Sequence, residues 1–132
     1  MHDTTPLHVA SPDDLVQAVL QMIGSTPHES LVLVGIDDTT ITATVTVDLP
    51  AIALPGILPA LVRSVARSSA TGVIALVYST TAANTAVLVE PLSVASDWAR
   101  LELLAALRVD DGAVRPLAAI RQVAQRRKRA RR

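Results

Sequence analysis

Acidic side chains occur as three adjacent pairs, and converging carboxylates of this kind can hold Mg²⁺ for phosphoryl chemistry. The pairs are Asp13-Asp14, Asp37-Asp38 and Asp110-Asp111. Each pair lies where the sequence predicts a turn or the start of a helix, and Asp is common at such positions for purely structural reasons. We therefore predict that the pairs are structural and that the chain binds no metal.

Histidine and serine offer a second kind of chemistry. His28, Glu29 and Ser30 are adjacent, but neighbouring residues rarely reach the geometry of a catalytic triad, so a solvated loop is the favoured interpretation. His2 and His8 do not lie at a spacing from other residues that is typical of metal ligands. The absence of cysteine excludes disulfides, thiolate metal sites and thiol catalysis. The five glycines are scattered, which excludes a phosphate-binding loop and a dinucleotide fingerprint. The sequence therefore predicts no catalytic residue and no cofactor.

One candidate ligand crevice remains, at the ends of two apolar strands predicted for residues 31–36 and 72–78. Asp48 ends a third strand, and Tyr78 ends the second apolar strand, where its hydroxyl can reach water. Solvation of a sheet edge explains Asp48 more simply than ligand binding does. The candidate crevice residues are His28, Asp37, Asp48 and Tyr78.

The charge distribution carries the most functional weight. Residues 121–132, here called the basic tail, hold seven of the twelve cations and no acid. The other 120 residues hold five cations and all twelve acids, so a body of charge −7 adjoins a tail of charge +7. Such blocks are typical of interaction tails, although a solvated end or docking onto an acidic face is the alternative. The predicted contact residues are Arg121, Arg126, Arg127, Lys128, Arg129, Arg131 and Arg132.

Hydrophobic periodicity predicts the helices that position these residues. The first helix follows an N-cap at Ser11 and ends at Gly24, and the second covers residues 57–65. A terminal helix begins at Pro116, with its basic end projecting beyond the core. Residues 82–89 fit either a helix or a strand.

Strands are predicted between these helices. Residues 7–9 form a short opening strand, and residues 31–36 and 41–48 form an antiparallel hairpin. In the second strand of this hairpin, alternation places every second residue, from Ile41 to Val47, on one apolar face. The intervening threonines Thr42, Thr44 and Thr46 form its wet face, with edge pairing in a dimer as the alternative.

The segment before the last turn allows two interpretations. Residues 101–109 fit a strand that enters a type I′ turn at Asp111-Gly112, because Asp-Gly readily takes positive φ. A helix over residues 97–107 is the alternative, since large apolar residues recur there every three positions. Further back, Pro91 is expected to interrupt either element proposed for residues 82–89.

Alternating strands and helices predict an α/β fold: a single layered domain with a mixed sheet, made of a central hairpin plus a parallel strand, flanked by amphipathic helices. We assign residues 1–115 to this domain and residues 116–132 to a C-terminal basic helix or tail. The N-terminus lacks the features of a signal peptide, and the longest apolar stretch, residues 51–62, is too short to cross a bilayer. The sequence thus predicts a soluble, cytoplasmic protein without membrane contact.

Four stretches together resemble an actinobacterial family, domain of unknown function 4192. They are Ser11-Pro12-Asp13-Asp14-Leu15, PHESLVLVG at residues 27–35, Val47-Asp48-Leu49-Pro50 and Leu107-Arg108-Val109-Asp110-Asp111-Gly112. The resemblance spans roughly residues 7–115 and implies a compact α/β domain with a strand at 101–109. It implies no activity, cofactor or catalytic residue. Because the cysteine-containing segment usual in the family is absent, the chain is similar to a trimmed member, such as a phage-encoded copy.

These observations predict a small non-enzymatic binding or regulatory protein. Its acidic α/β body would make protein contacts or self-associate, and its tail would contact nucleic acid or an acidic partner. The alternative is a small-molecule-binding or degenerate enzymatic domain with a crevice at the strand ends near Asp48 and Tyr78. A third interpretation is a structural subunit whose tail docks onto the acidic face of another copy.

Overall fold

The computed structural model describes residues 5–6, 12–38, 40–80 and 87–116. Its strands are β1 (Thr5–Pro6), β2 (Ser30–Asp37), β3 (Thr40–Asp48), β4 (Gly72–Tyr78), β5 (Glu102–Asp110) and β6 (Ala113–Pro116). Its helices are α1 (Pro12–Ile23), α2 (Leu49–Ile52), α3 (Ile57–Ala66) and α4 (Val89–Trp98).

All six strands form one mixed sheet in the order β1-β3-β2-β4-β5-β6. β4 and β5 are parallel, and the other neighbouring pairs are antiparallel. The parallel pair requires a crossover, and α4 lies within that connection. The predicted α/β domain, with a hairpin and a parallel strand in one sheet, is confirmed.

Helices cover both faces of this sheet and divide the core in two. On one face, α3 and α4 pack over a cluster that includes Leu31, Leu33 and Val73. On the other face, α1 packs over a cluster that includes Val32 and Leu76. Because successive strand residues point to opposite faces, a strand covered on both sides must be apolar throughout. This constraint explains the unbroken apolar character of β2 and β4.

A β-bulge interrupts the hairpin of β2 and β3. Gly35 lies opposite Ala43, whereas Ile36 lies opposite Ile41, so Thr42 has no residue opposite it. Because of this extra residue, the β3 side chains before the bulge face the opposite side of the sheet from the one that unbroken alternation would give them.

The bulge corrects the predicted apolar face of β3. Ile41 packs in the core beneath α1, while Val45 and Val47 pack against the core beneath α3 and α4. Thr42 is half-buried, and its hydroxyl lies 2.8 Å from the hydroxyl of Ser68 at the end of α3. The prediction of one shared apolar face is therefore wrong at Ile41, and Thr42 is not part of a wet face.

The structure also resolves the ambiguous segment before the last turn. Pro91 does not interrupt α4, because it lies in the first turn, where no helical N–H is required. The alternative helix over residues 97–107 is wrong: α4 ends at Trp98, and β5 follows. Asp111 and Gly112 have φ of 50° and 82°, which confirms the type I′ turn.

Several predicted features lie outside the described residues, namely the opening strand at 7–9, the N-cap at Ser11 and the terminal helix beyond Pro116. Pro116 itself is the last residue of β6 and lies opposite Leu107. Within the described residues, no helix is both long enough and apolar enough to cross a lipid bilayer.

The bulge predicts a strong constraint at Gly35. A Cβ atom there would lie 2.8 Å from both Thr42 Oγ1 and Val65 Cγ1, and 3.1 Å from Ala70 Cβ. We expect Gly35→Ala to lower the free energy of unfolding by about 1–3 kcal/mol, because the core must shift to admit the methyl group. Urea denaturation measures this change.

A double-mutant cycle provides the control. In a Val65→Ala background, the space that opens beside position 35 should reduce the cost of Gly35→Ala. Equal stability of wild type and Gly35→Ala would show that the contact does not constrain the strand.

Candidate functional site

A cleft of about 930 Å³ lies at the end of the sheet where β2 begins and β4 ends. Val16, Gln17 and Leu20 of α1 form one wall. Residues 26–29, 78–80 and 109–112 form the remainder. We call this cavity the Tyr78 cleft. It combines an apolar helix face with polar strand ends and turns, the usual composition of a small-ligand site.

Glu29 connects the loop before β2 to the end of β4 through hydrogen bonds. Its carboxylate accepts a hydrogen bond from the Ser79 hydroxyl at 3.1 Å and another from the Thr80 backbone N–H at 3.2 Å. Its backbone carbonyl accepts from the N–H of Leu49 at 2.9 Å. Glu29 has a φ of 45°, an uncommon conformation for a residue other than glycine. These bonds hold that conformation and fix one side of the Tyr78 cleft.

Ser30 does not form a catalytic pair with His28. The Ser30 hydroxyl donates a hydrogen bond to the backbone carbonyl of His28 at 2.8 Å, so its proton is directed away from the imidazole. Ser30 is buried at the first position of β2, whereas His28 is exposed. This geometry does not provide a nucleophile and its base, and of the three residues only His28 fits the predicted solvated loop.

Arg108 connects the end of β4 to the end of β5 beside the cleft. Its Nη1 atom donates to the backbone carbonyl of Ser79 and to Asp110 Oδ2, each at 3.2 Å. The Ser79 N–H donates to the carbonyl of Val109 at 3.2 Å. Asp110 therefore serves as an ion-pair partner, and the neighbouring Asp111 occupies the turn.

Tyr78 contributes a buried hydroxyl that lacks a hydrogen-bond partner among the described residues. The residue is only 5% exposed and packs in the core beneath α1. Burial raises the pKa of this phenol above its ordinary value, because the charged form is poorly solvated. Leaving a buried hydroxyl unpaired costs about 1–3 kcal/mol of folding free energy.

The structure brings together only some of the predicted crevice residues. His28 and Tyr78 line the cleft. Asp48 lies opposite Ser30 at the same end of the sheet, but it is exposed before α2 and does not line the cleft. Asp37 lies at the other end of β2, because β2 and β4 are antiparallel and their carboxyl ends point in opposite directions.

The three acidic pairs lie at the ends of three different elements. Asp13-Asp14 lies in the first turn of α1, Asp37-Asp38 follows β2, and Asp110-Asp111 follows β5. In the described part of the chain, no three His, Asp or Glu side chains are arranged to hold a metal ion. The basic tail lies outside the described residues.

Sequence reasoning missed the roles of Glu29 and Ser79. The sequence predicts only a solvated loop at Glu29, whereas its carboxylate reaches Ser79 and Thr80, fifty and fifty-one positions further along the chain. No local sequence pattern signals this contact, because it depends on the pairing of Ser30 with Tyr78, which places both segments at one end of the sheet.

A second concave surface, here called the Trp98 groove, lies between residues 52–59 and α4 and has a volume of about 660 Å³. It is lined mainly by apolar residues, among them Leu54, Leu58, Pro91 and Val94. Trp98, at the end of α4, contributes to its wall and is 84% exposed. An aromatic side chain of this size is rarely left so exposed without a reason.

The unpaired hydroxyl yields a stability prediction. We expect Tyr78→Phe to raise the free energy of unfolding by about 1–3 kcal/mol at neutral pH, because the ring packing is kept and the unsatisfied oxygen is removed. Urea denaturation measures the change. A loss of stability would show that the hydroxyl has a structural partner.

Alkaline pH provides an independent readout of the same hydroxyl. The pKa of Tyr78 is raised above its ordinary value of 10.0 in the folded chain, so the unfolded chain loses this proton first. Its contribution to stability is therefore full below about pH 10 and declines as the pH rises toward the folded pKa. Tyr78→Phe should lack this part of the alkaline decline.

Comparison with known families gives one match. The family model described as Domain of unknown function (DUF4192) matches residues 12–119, which is most of the chain. A search of curated proteins found no match. The matched region begins with α1 and includes every later element of the fold. The chain therefore belongs to the DUF4192 family.

Proposed function

We propose that the protein is a small, non-enzymatic binding protein of the cytoplasm. It associates with a second copy through the Trp98 groove and contacts nucleic acid through its basic tail. The observation that carries the first part is the 84% exposure of Trp98 beside an apolar groove. Aromatic residues are enriched in the cores of protein interfaces, where they bury a large area at a small entropic cost.

A second copy is the occupant that the groove fits best. The same face presents a projecting side chain, Trp98, and a cavity several times larger than an indole ring. An interface with two-fold symmetry needs the projecting side chain and the cavity on the same surface, because each subunit then fills the groove of the other. Exposed Leu54 and Val94 extend the apolar surface around the same contact.

Charge supports a dimer as the nucleic-acid-binding form. The body of the chain carries −7 and would repel a polyanion, whereas residues 121–132 carry +7. A dimer carries two basic tails, so twice as many cations can contact the phosphates. The acidic body makes no additional contact with the nucleic acid. Contacts of this kind give affinity without reading sequence.

The groove proposal predicts a change in oligomeric state. We expect the wild-type chain to form a dimer at micromolar concentration and Trp98→Ala to be monomeric, because truncation removes the side chain that fills the partner's groove. Light scattering coupled to size-exclusion chromatography measures the mass. Met22→Ala is the matched control, since Met22 is exposed on α1, away from the Trp98 groove.

Stability separates an interface effect from misfolding. Because Trp98 is so exposed, its truncation should change the unfolding free energy of the monomer by less than about 0.5 kcal/mol. A monomeric wild type, or a Trp98→Ala variant that remains dimeric, would contradict the proposal.

The tail predicts salt-sensitive binding. Four to six phosphate contacts would give a slope of log K against log salt of about −4 to −5, at about −0.9 per contact. Replacing six tail cations by Gln should abolish binding to a double-stranded oligonucleotide, as measured by fluorescence anisotropy. The six are Arg126, Arg127, Lys128, Arg129, Arg131 and Arg132. Equal affinity of the neutralised chain would contradict a role for the tail.

Small-molecule binding at the Tyr78 cleft is the second candidate function. The buried, unpaired hydroxyl of Tyr78 favours it, because natural proteins pair nearly all of their buried polar atoms. The cleft volume of about 930 Å³ also lies within the range of small-ligand sites.

A further inference from the structure

We infer that the Tyr78 cleft binds a small organic cation, namely a primary amine or guanidinium carried on a hydrocarbon body. This inference rests on the second candidate function above and names the chemistry of its ligand. It depends on the charge of the lining, on the hydrogen-bonding capacity of that lining and on the apolar wall.

The lining of the cleft is acidic. Glu29, Asp110 and Asp111 contribute three carboxylates, and none of the described lining residues is Lys or Arg. Arg108 adjoins the cleft and pairs with Asp110, which leaves an excess of negative charge from Glu29 and Asp111. A cation is attracted to this surface, and an anion is repelled.

The polar atoms of the cleft also match a ligand that only donates hydrogen bonds. Each oxygen of the Glu29 carboxylate accepts one bond from the described residues, whereas an ionised carboxylate offers about four acceptor sites. The Tyr78 oxygen has no partner among the described residues and is covered in the free chain, so a donor in the cleft reaches it once the covering wall shifts. An ammonium or guanidinium group carries donors and no acceptor, so it complements both.

The third feature is the apolar wall of the cleft. Val16 and Leu20 present an apolar face of α1 to the cleft, and Val109 adds to it from β5. A bare metal ion or a fully hydrated ion gains nothing from such a surface. A cation on a hydrocarbon chain places its charge at the carboxylates while its body packs against the wall.

Three probes of one length test the inference on the full chain. Hexanediamine, hexanediol and adipate share a six-carbon chain and differ in the charge of their ends. Titrations followed by two-dimensional NMR should show saturable shifts of the Val16, Leu20, Tyr78 and Val109 signals with the diamine. We expect the diol to bind at least tenfold more weakly and adipate to leave these signals unchanged.

Two substitutions connect binding to the proposed groups. Tyr78→Phe should weaken diamine binding about tenfold, although it is expected to stabilise the free protein. Asp111→Asn should weaken it about threefold, because the exposed carboxylate acts through solvent. Asp38→Asn is the matched control: Asp38 is also exposed in a hairpin turn with positive φ, but it lies at the other end of β2.

The basic tail contains the same chemistry as the probes, so a further arm distinguishes the source of the cation. The full chain with the six tail cations replaced by Gln should bind the diamine with unchanged affinity if the cleft serves free ligands. A tenfold gain would identify the chain's own tail as the competing cation and would overturn the assignment to a free small molecule.

The remaining outcomes separate this inference from the function on which it rests. Binding of the diol or adipate in the cleft as tightly as the diamine would overturn the cationic chemistry while leaving small-molecule binding in place. If none of the three probes shifts the signals of the cleft, small-molecule binding itself is overturned. Equal losses for Asp111→Asn and Asp38→Asn would assign the effect to net charge and overturn the site.

Discussion

The pairing of β2 between β3 and β4 is the constraint on which the rest of the structure depends. It places Ser30 opposite both Asp48 and Tyr78. The start of β2 and the ends of β3 and β4 therefore lie at the same end of the sheet. Both faces of β2 are covered by helices, which explains why its residues from Leu31 to Ile36 are apolar. The same pairing brings Glu29 within reach of Ser79 and Thr80. The cleft therefore follows from strand register and not from a local motif.

The parts of the fold that depend on local pattern could be predicted from the sequence. The periodicity of α1 and α3, the apolar runs of β2 and β4 and the Asp111-Gly112 turn all express a local preference of the backbone. The bulge at Thr42 could not be predicted, because strict alternation in the sequence gives no sign of an extra residue. The contacts beside it are tertiary: a Cβ atom at Gly35 would lie 2.8 Å from both Thr42 Oγ1 and Val65 Cγ1.

The candidate site was predictable only in part, for a topological reason. Crevices at the carboxyl ends of strands are a rule of parallel sheets, and grouping Asp37 with Tyr78 assumes that rule. In this sheet β2 and β4 are antiparallel, which separates the two residues by the length of a strand. Tyr78 ends β4 and does line the cleft, where its ring packs in the core and its hydroxyl has no partner among the described residues. Hydrogen bonding of that hydroxyl depends on the surrounding loops, which sequence pattern does not describe.

The two proposed surfaces can operate together because the sheet separates them. The Trp98 groove lies on the face covered by α3 and α4, whereas the wall of the Tyr78 cleft belongs to α1 on the other face. A second copy seated in the groove would therefore leave the cleft open, and a dimer would present two clefts. The two surfaces also differ in what they cost the isolated chain. Exposed Trp98 leaves apolar area in water, while Tyr78 leaves a polar oxygen out of water. The two proposals assign these opposite departures from ordinary packing to two different occupants, a second copy in the groove and a small cation in the cleft.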